Sequence, residues 1–412
     1  MYRPLRLSDK NCVTADVMGA LPPNSQNIFG KMKMHSPKNE AELAEVIVGA
    51  EAPLCVEGGG TRGCKVDGDQ LALRGMSGIE LYEPGSLTLV AKAGTPMAEI
   101  EALLASEGQR MAFEPMDARG VLGSSGTPTI GGAIAVNSSG PRRIQGGAAR
   151  DYLLGVRFVD GAGQVIKNGG RVMKNVTGYD LVKLMAGSYG TLGVLSEVSL
   201  KVLPFPEAIA TVSVAVTDLS AAVQVMSTAL GSPYDVTGAA YDPVSGLAHV
   251  RLEGFAPSVR YRQEKLAGEL TRLGEVDNQS KTEELWRDIR DVAAFQGQVG
   301  DVWRISVKPS DAVRLAPMLE AEALQFDWGG GLIWALTSEG VDIRTSLAGA
   351  GVSGHATLVR AQPKTVAAIG RFQPQAQALE VISDELRRRF DPRGVLNTGL
   401  MRAGQITGVE GA

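Results

Sequence analysis

Gly126-Thr127-Pro128-Thr129-Ile130-Gly131-Gly132-Ala133-Ile134-Ala135-Val136-Asn137-Ser138-Ser139-Gly140 reads as a tight loop running into a short helix of small residues. Thr129 is the expected N-cap, because its hydroxyl can accept from an early helical N–H. Gly131 and Gly132 have no Cβ, so another surface can come directly against the backbone there. Unpaired N–H groups at a helix start suit a phosphate, which makes the segment an expected cradle for a pyrophosphate. A small-residue helix packed closely on a neighbour gives the same pattern. Two further glycine-rich loops, one on each side in sequence, favour the cradle.

The earlier loop follows a helix and a strand. Asn39 is the expected cap of a helix with Glu40 and Glu42 in its first turn and an apolar face of Leu43, Val46, Ile47 and Ala50. Pro53 is expected to end it, and Leu54-Cys55-Val56 to form a buried strand. Glu57-Gly58-Gly59-Gly60-Thr61-Arg62-Gly63 comes next. Consecutive glycines after a strand let N–H groups turn inward around an anion. No Gly-Lys-Ser/Thr follows, so this is not a Walker loop, and no helix opens after it as in the dinucleotide fingerprint. A flexible hairpin is the plainer reading.

Between the loops, residues 78–93 read as two strands around Glu83-Pro84-Gly85-Ser86. Thr95-Pro96 opens a helix with Pro at its first position and a buried stripe of Met97, Ile100, Leu103 and Leu104, closed by Gly108. Arg142 and Arg143 follow the central stretch and can pair with phosphate, or be ordinary surface charge. A hairpin turns at Asp160-Gly161-Ala162-Gly163. The last loop, Met185 to Leu195, leads into a strand over 196–203, and Pro204-Phe205-Pro206 marks an expected domain boundary.

After that boundary the order strand, helix, strand, strand, helix appears around 209–216, 218–229, 235–240, 247–253 and 258–273. A similar order recurs around 301–307, 310–322, 324–328, 332–336, 341–348 and 355–360. Two split-βαβ units side by side are expected, as an antiparallel sheet with helices on one face. Residues 279–296 read as an added amphipathic helix. No catalytic constellation shows in this half, and His355 reads as an ordinary strand histidine. A helix around 374–389 precedes Phe390-Asp391-Pro392-Arg393-Gly394-Val395-Leu396-Asn397-Thr398-Gly399, either a frayed end or a strap.

The totals narrow the classes. The 412 residues are 44% hydrophobic and 21% charged, enough for two or more cores. The net charge of −4 offers no basic field for nucleic acid. No apolar run is long enough to span a bilayer and no signal peptide is evident, so a cytoplasmic protein is expected. Cys12, Cys55 and Cys64 form neither a disulfide framework nor a four-thiolate set, and His35, His249 and His355 are too scattered for a metal cage.

Three glycine loops in this order, with this tail, resemble the flavoproteins of the vanillyl-alcohol oxidase and p-cresol methylhydroxylase type. Gly58-Gly59-Gly60-Thr61, Thr127-Pro128-Thr129-Ile130-Gly131-Gly132 and Gly187-Ser188-Tyr189-Gly190-Thr191-Leu192-Gly193-Val194 carry the resemblance. It implies an α+β fold: an FAD-binding domain over 36–206, an antiparallel cap over 207–365, and a helix and strap over 366–412 returning to the FAD domain. Residues 1–35 are the lead-in. It also implies FAD against Gly58, Gly59, Gly60, Thr61, Arg62, Gly63, Thr127, Pro128, Thr129, Ile130, Gly131, Gly132, Ser138, Arg142, Arg143, Gly190, Leu192, Gly193 and Val194. Arg142, Arg143 or Lys174 would offset charge on reduced flavin.

Within that family, Gly140-Pro141-Arg142-Arg143, Val172-Met173-Lys174-Asn175-Val176-Thr177-Gly178-Tyr179-Asp180-Leu181 and Gly354-His355-Ala356-Thr357-Leu358 are similar to the E-type flavin subunits of bacterial glycolate oxidases. This implies a small 2-hydroxyacid, glycolate, and two partners: a catalytic flavoprotein subunit and an iron–sulfur subunit. Contact with the inner face of the cell membrane would come only through those partners. Three departures stand out. Tyr189 occupies a position where most relatives have Glu. The spaced His pair that holds a metal in catalytic relatives is missing, so no metal is expected and no catalytic base is assigned. Arg62 and Gly63 stand where some relatives attach flavin through His, so the FAD is expected to be non-covalent. A self-sufficient dehydrogenase of another hydroxyacid, and a structural subunit with a vestigial pocket, are the alternatives.

Overall fold

The computed structural model describes residues 32–171 and 178–402. Lys174 and the rest of 172–177 lie outside the described residues, as do Cys12 and all but 32–35 of the lead-in.

The architecture is α+β, built on three main layers of strand. β1 (Met34–His35), β2 (Leu54–Glu57) and β3 (Asp69–Ala72) make a small parallel sheet in the order β1-β3-β2. The helix Glu40–Val48 connects the first two strands. Asn39 caps it, its side chain accepting from the Glu42 N–H at 2.9 Å. The helix stops at Gly49, ahead of Pro53. Leu43 and Ile47 bury against Leu54 and Leu71.

The next strands are β4 (Ile79–Glu83), β5 (Thr88–Lys92), β6 (Gln109–Arg110), β7 (Leu153–Val159), β8 (Val165–Gly169), β9 (Val194–Lys201) and β10 (Leu203–Pro204). Five of them form an antiparallel sheet in the order β4-β5-β9-β7-β8, while β6 pairs with β10. Leu89 and Ala91 on β5 and Val198 and Leu200 on β9 share a core with Ile100, Leu104, Ile130 and Ile134. The helix over Met97–Ser106 starts one residue later than expected, with Pro96 as its N-cap and not its first helical residue.

The remaining strands, β11 (Ala208–Ala215), β12 (Val236–Asp242), β13 (Leu247–Gly254), β14 (Glu275–Gln279), β15 (Asp301–Ser306), β16 (Ala321–Asp327), β17 (Leu332–Thr337) and β18 (His355–Arg360), form one antiparallel sheet. Its order is β14-β11-β13-β12-β16-β17-β15-β18. The second half repeats the first in mirror order, and the halves meet where Tyr241 pairs with Phe326. The two repeated units are those expected from the sequence. β14 was not expected: it is an edge strand of mostly polar residues, without the alternation that marks a half-buried strand. The expected helix over 279–296 is Thr282–Arg290, followed by a left-handed Val292 (φ 52°) and a short turn. The expected helix over 310–322 is shorter too, with Pro309–Leu315 giving way to a 3-10 turn containing Pro317.

Period-two alternation sorts the large sheet's faces. Ala248, Val250 and Leu252 on β13, and Trp303 and Ile305 on β15, face the helices of that layer. His249, Arg251 and Glu253, and Arg304 and Ser306, occupy the intervening positions. A second cluster on that opposite face, Val302, Trp328, Leu332, Trp334 and Leu336, packs on Ala118 and Val121. The two large sheets are thereby held together, and a polar seam lies between them.

After the helix Gln377–Phe390 the chain returns to the small sheet. Leu54 N donates to Val395 O at 2.7 Å, and Asn397 N donates to Leu54 O at 3.0 Å. Leu396 thus bridges β2 in parallel.

Candidate functional site

The loop Gly58–Gly63 leaves the end of β2. Gly60 (φ 72°) and Gly63 (φ 66°) take left-handed conformations, which curl the chain back on itself. Among the described residues, no acceptor receives the backbone N–H of Gly59, Gly60, Thr61, Arg62 or Gly63. A run of unpaired, inward-curling N–H groups is an anion site. Gly59 also lies tight against the central stretch. A Cβ there would stand 1.5 Å from Thr127 O.

The helix Ile130–Ala135 behaves differently from the expectation. Thr129 caps it, accepting from Gly132 N at 3.3 Å. Its other early N–H groups are also engaged. Ile130 N donates to Thr95 O at 3.0 Å, Gly131 N to Ala93 O at 2.8 Å, and Ala133 N to Thr129 O. No N–H is left over for a pyrophosphate at this helix start. The close approach read from Gly131 is to the end of β5: a Cβ would stand 2.6 Å from Ala93 Cβ. Both glycines border a narrow cleft, but at Gly132 a Cβ would meet only the Thr129 hydroxyl, at 3.2 Å.

That cleft, about 100 Å³, is lined by Gly58–Gly63, Thr129, Gly131, Gly132, Gly190, Gly193 and Val194, with Val56 and Asn397. The first and third loops and the start of the helix therefore converge. Asn397 ties them together: its Oδ1 accepts from Val56 N at 2.8 Å, and its Nδ2 donates to Tyr189 O at 2.7 Å. Tyr189 is itself left-handed (φ 54°), and burial pushes its phenol up to about 12. Its ring meets Phe372 edge-on at 5.0 Å.

Beyond Arg62, Cys64, Val136 and Tyr189, which border both spaces, a cavity of about 500 Å³ opens between the two large sheets. Ser138 and Arg143 line it from one side. Arg304, Asp327, Trp328, His355 and Thr357 line it from the other. Burial raises the Asp327 carboxyl to about 7, while its Oδ1 accepts from Trp328 N at 2.7 Å. Burial, and then Arg304, lower His355.

Five expected contact residues line neither space. Thr127 and Pro128 are backbone partners, Thr127 N to Gly59 O and Pro128 O from Met97 N. Ile130 and Leu192 are buried in the core of the five-stranded sheet. Arg142 is drawn into a buried ion cluster between the large sheets. Its Nε and Nη2 donate to Glu253 at 2.9 and 2.6 Å, its Nη2 lies 3.2 Å from Glu114, and Arg251 and Arg110 join it. A guanidinium this close to two buried carboxylates is held by them in preference to a distant ligand.

The second half, in which no catalytic constellation was expected, nevertheless contributes to the cavity, and His355, a strand histidine as expected, stands at the start of β18. Arg304, Asp327 and His355 all line the cavity. The available signal was a charged residue inside an otherwise apolar strand, such as Arg304 between Trp303 and Ile305. It marks a polar face that needs a partner.

Comparison with known proteins agrees with this geometry. Residues 34–169 match a family described as an FAD binding domain. Alkyldihydroxyacetonephosphate synthase has a similar fold: TM-score 0.65 at 15% identity, over 89% of this chain and 77% of that one. The class is thus a flavoprotein with an FAD-binding domain joined to an antiparallel α+β layer. Glycolate oxidase subunit GlcE of Escherichia coli (strain K12) is 37% identical over 367 residues, 88% of this chain and 96% of its own length. Glycolate oxidase subunit GlcD of Bacillus subtilis (strain 168) is 32% identical over 200 residues, 47% of this chain and 41% of its own length. The chain belongs to the glycolate oxidase subunit GlcE family.

Proposed function

We propose that this chain is the FAD-holding E-type subunit of a multi-subunit glycolate oxidase. The assembly oxidises glycolate to glyoxylate and passes the electrons onward. The observation that carries the reading is likeness to the GlcE subunit along 96% of that protein's length. The residues present fit the cofactor. Gly59–Gly63 offer the unpaired N–H run a diphosphate needs, and the cleft beside them adjoins the cavity at Arg62, Cys64, Val136 and Tyr189. Bound FAD supplies the two-electron chemistry; the chain binds and orients it and excludes water. Thr129, Gly131, Gly132, Gly190, Gly193 and Val194 would wall the cofactor, and Arg62, Ser138 and Arg143 would stand where its path reaches the cavity.

The flavin is held without a covalent bond, since Arg62 and Gly63 replace the histidine of covalent relatives. The partners are a catalytic flavoprotein and an iron–sulfur subunit. No helix of the described residues is long and apolar enough to cross a membrane, and the partners supply any contact with the inner membrane face. The domain limits we propose are 36–206 for FAD binding and 207–365 for the cap, with 366–412 returning to the first.

The test has two parts. The purified chain should be yellow and release its flavin into the supernatant on acid precipitation; a colourless chain that takes up no FAD would support the vestigial pocket. Glycolate-dependent dye reduction should be slight for the chain alone and rise when its two partners are added. Full turnover by the monomeric chain would replace this reading with a self-sufficient dehydrogenase.

A further inference from the structure

The larger cavity carries an imbalance of charge. Six arginines and His355 line it, against a single carboxylate, Asp327. Three of the arginines are engaged elsewhere. Arg290 pairs with Asp291 at 2.8 Å, Arg371 donates to the carbonyls of Leu358, Val359 and Gly63, and Arg150 donates to Ala186 O. The guanidinium groups of the other three, Arg62, Arg143 and Arg304, make no hydrogen bond or ion pair with any described residue. Two of these stack on one indole. Arg143 Cζ lies 4.7 Å and Arg304 Cζ 5.0 Å from the Trp328 ring centroid. The ring is fixed in turn, its Nε1 donating to Gly140 O at 3.1 Å.

Cation–π contact holds a guanidinium in place but satisfies none of its N–H donors. Arginine does not shed its proton to relieve the crowding. Burial first, then a neighbouring guanidinium, lowers each: Arg150 acts on Arg143, and Arg143 on Arg304. Asp327 is a weak counter-charge near neutrality, being raised to about 7, and one of its oxygens is taken by Trp328 N. What relieves such a pair is an anion with paired oxygens, to which each planar fork can donate twice.

We infer that Arg143 and Arg304, aligned by Trp328, form a clamp for a small carboxylate anion, so that this chain itself takes the 2-hydroxyacid or 2-oxoacid of the reaction. The inference rests on the oxidase reading for the identity of the acid, while the clamp rests on the geometry alone. The clamp spans both layers. Arg143 comes from the turn after the central stretch, and Arg304 from β15 of the large sheet. His355 and Thr357 lie on the neighbouring strand β18, whose Thr357 is in register with Arg304. They place uncharged polar groups within reach of a hydroxyl or carbonyl beside the carboxylate.

The experiment is calorimetric titration of the full-length, flavin-loaded chain with oxalate, an unreactive carboxylate, and with glycolate and inorganic phosphate. Arg143→Met, Arg304→Met and their Lys counterparts are compared with Arg314→Met, an exposed arginine of the same layer, and flavin per chain is measured throughout. Saturable oxalate binding is expected, weakened roughly tenfold or more by either Met change. The Lys variants should recover part of it, and Arg314→Met should match the parent. Flavin content should stay unchanged in the Arg304 variants. No saturable oxalate binding by the parent overturns the clamp, as does undiminished affinity in both Met variants. Phosphate binding as tightly as oxalate overturns the carboxylate assignment. Flavin loss in the Met and Lys variants alike shows that the arginines serve the cofactor instead. A parent chain that never holds flavin refutes the oxidase reading, and titration of that flavin-free chain still decides the clamp.

Discussion

Adjacent glycines in the central stretch carry different duties. Gly131 meets Ala93, so a methyl group there displaces the end of β5. Gly132 meets only the Thr129 hydroxyl, at 3.2 Å, and otherwise borders the cleft. Gly131→Ala should therefore cost about 1–3 kcal/mol of stability by overpacking. Gly132→Val should fold and lose flavin, and unchanged flavin per folded chain would show that this residue is not against the cofactor. Asp327 offers a second test. Its folded pKa is raised from 3.8 to about 7, chiefly by burial. A raised carboxyl contributes full stability below its unfolded pKa and loses it as pH climbs through the folded value. Asp327→Asn keeps an oxygen to accept from Trp328 N and removes the ionisation. In urea unfolding it should match the parent near pH 4 and gain on it up to pH 7, with a plateau above; the gain is at most about 4 kcal/mol. A constant gap across that range would mean Asp327 titrates normally.

Among the elements, the returning tail has the clearest consequence. Leu396 extends β2, and Asn397 uses both ends of its amide to join β2 to the third loop. Asn397 is left-handed (φ 43°), a conformation asparagine tolerates better than most side chains. Asn397→Ala leaves Val56 N and Tyr189 O without these partners, at an expected cost of about 2–4 kcal/mol in all. Flavin should also dissociate faster, which stopped-flow release of flavin fluorescence would measure. Asn397→Asp retains the acceptor for Val56 N and should lie between the two. Several elements were legible beforehand for local reasons. The caps Asn39 and Thr129, the turn at Pro84-Gly85-Ser86 and the two repeated units follow from turn chemistry and alternation. β14 was not, because an edge strand with polar side chains on both faces has no periodic signature.

For the whole molecule, the contact between the two large sheets depends on charge as well as apolar packing. Arg110 and Arg142 come from one side, and Arg251 and Glu253 from the other, with Glu114 reaching across. Burial by itself would raise Glu253, but Arg251, Arg142 and Arg110 together hold it far below the usual carboxylate range. A depressed carboxylate contributes stability above its unfolded pKa and loses it as pH falls through the folded value. Glu253→Gln should thus destabilise the chain by about 3–5 kcal/mol near neutrality, since it leaves buried guanidinium groups unpaired. The deficit should shrink in strong acid. A deficit below about 1 kcal/mol at pH 7 would place the pair in the class of solvated surface bridges.

By itself the sequence determined the three glycine loops, the helix caps, the repeated units of the second half and, through its motifs, the flavoprotein family. These are local properties: a φ angle, a hydrogen bond three residues away, or a period of two. The tertiary structure alone decided which of the two glycines is pressed against β5 and which has room beside it, and that the early N–H groups of the helix Ile130–Ala135 meet Thr95, Ala93 and Thr129. It also separated Arg142 from Arg143. Neighbours in sequence, one pairs with Glu253 of β13 and the other stacks on Trp328. Their fates depend on carboxylates and rings more than a hundred residues away, and no local pattern encodes a charge partner at that separation.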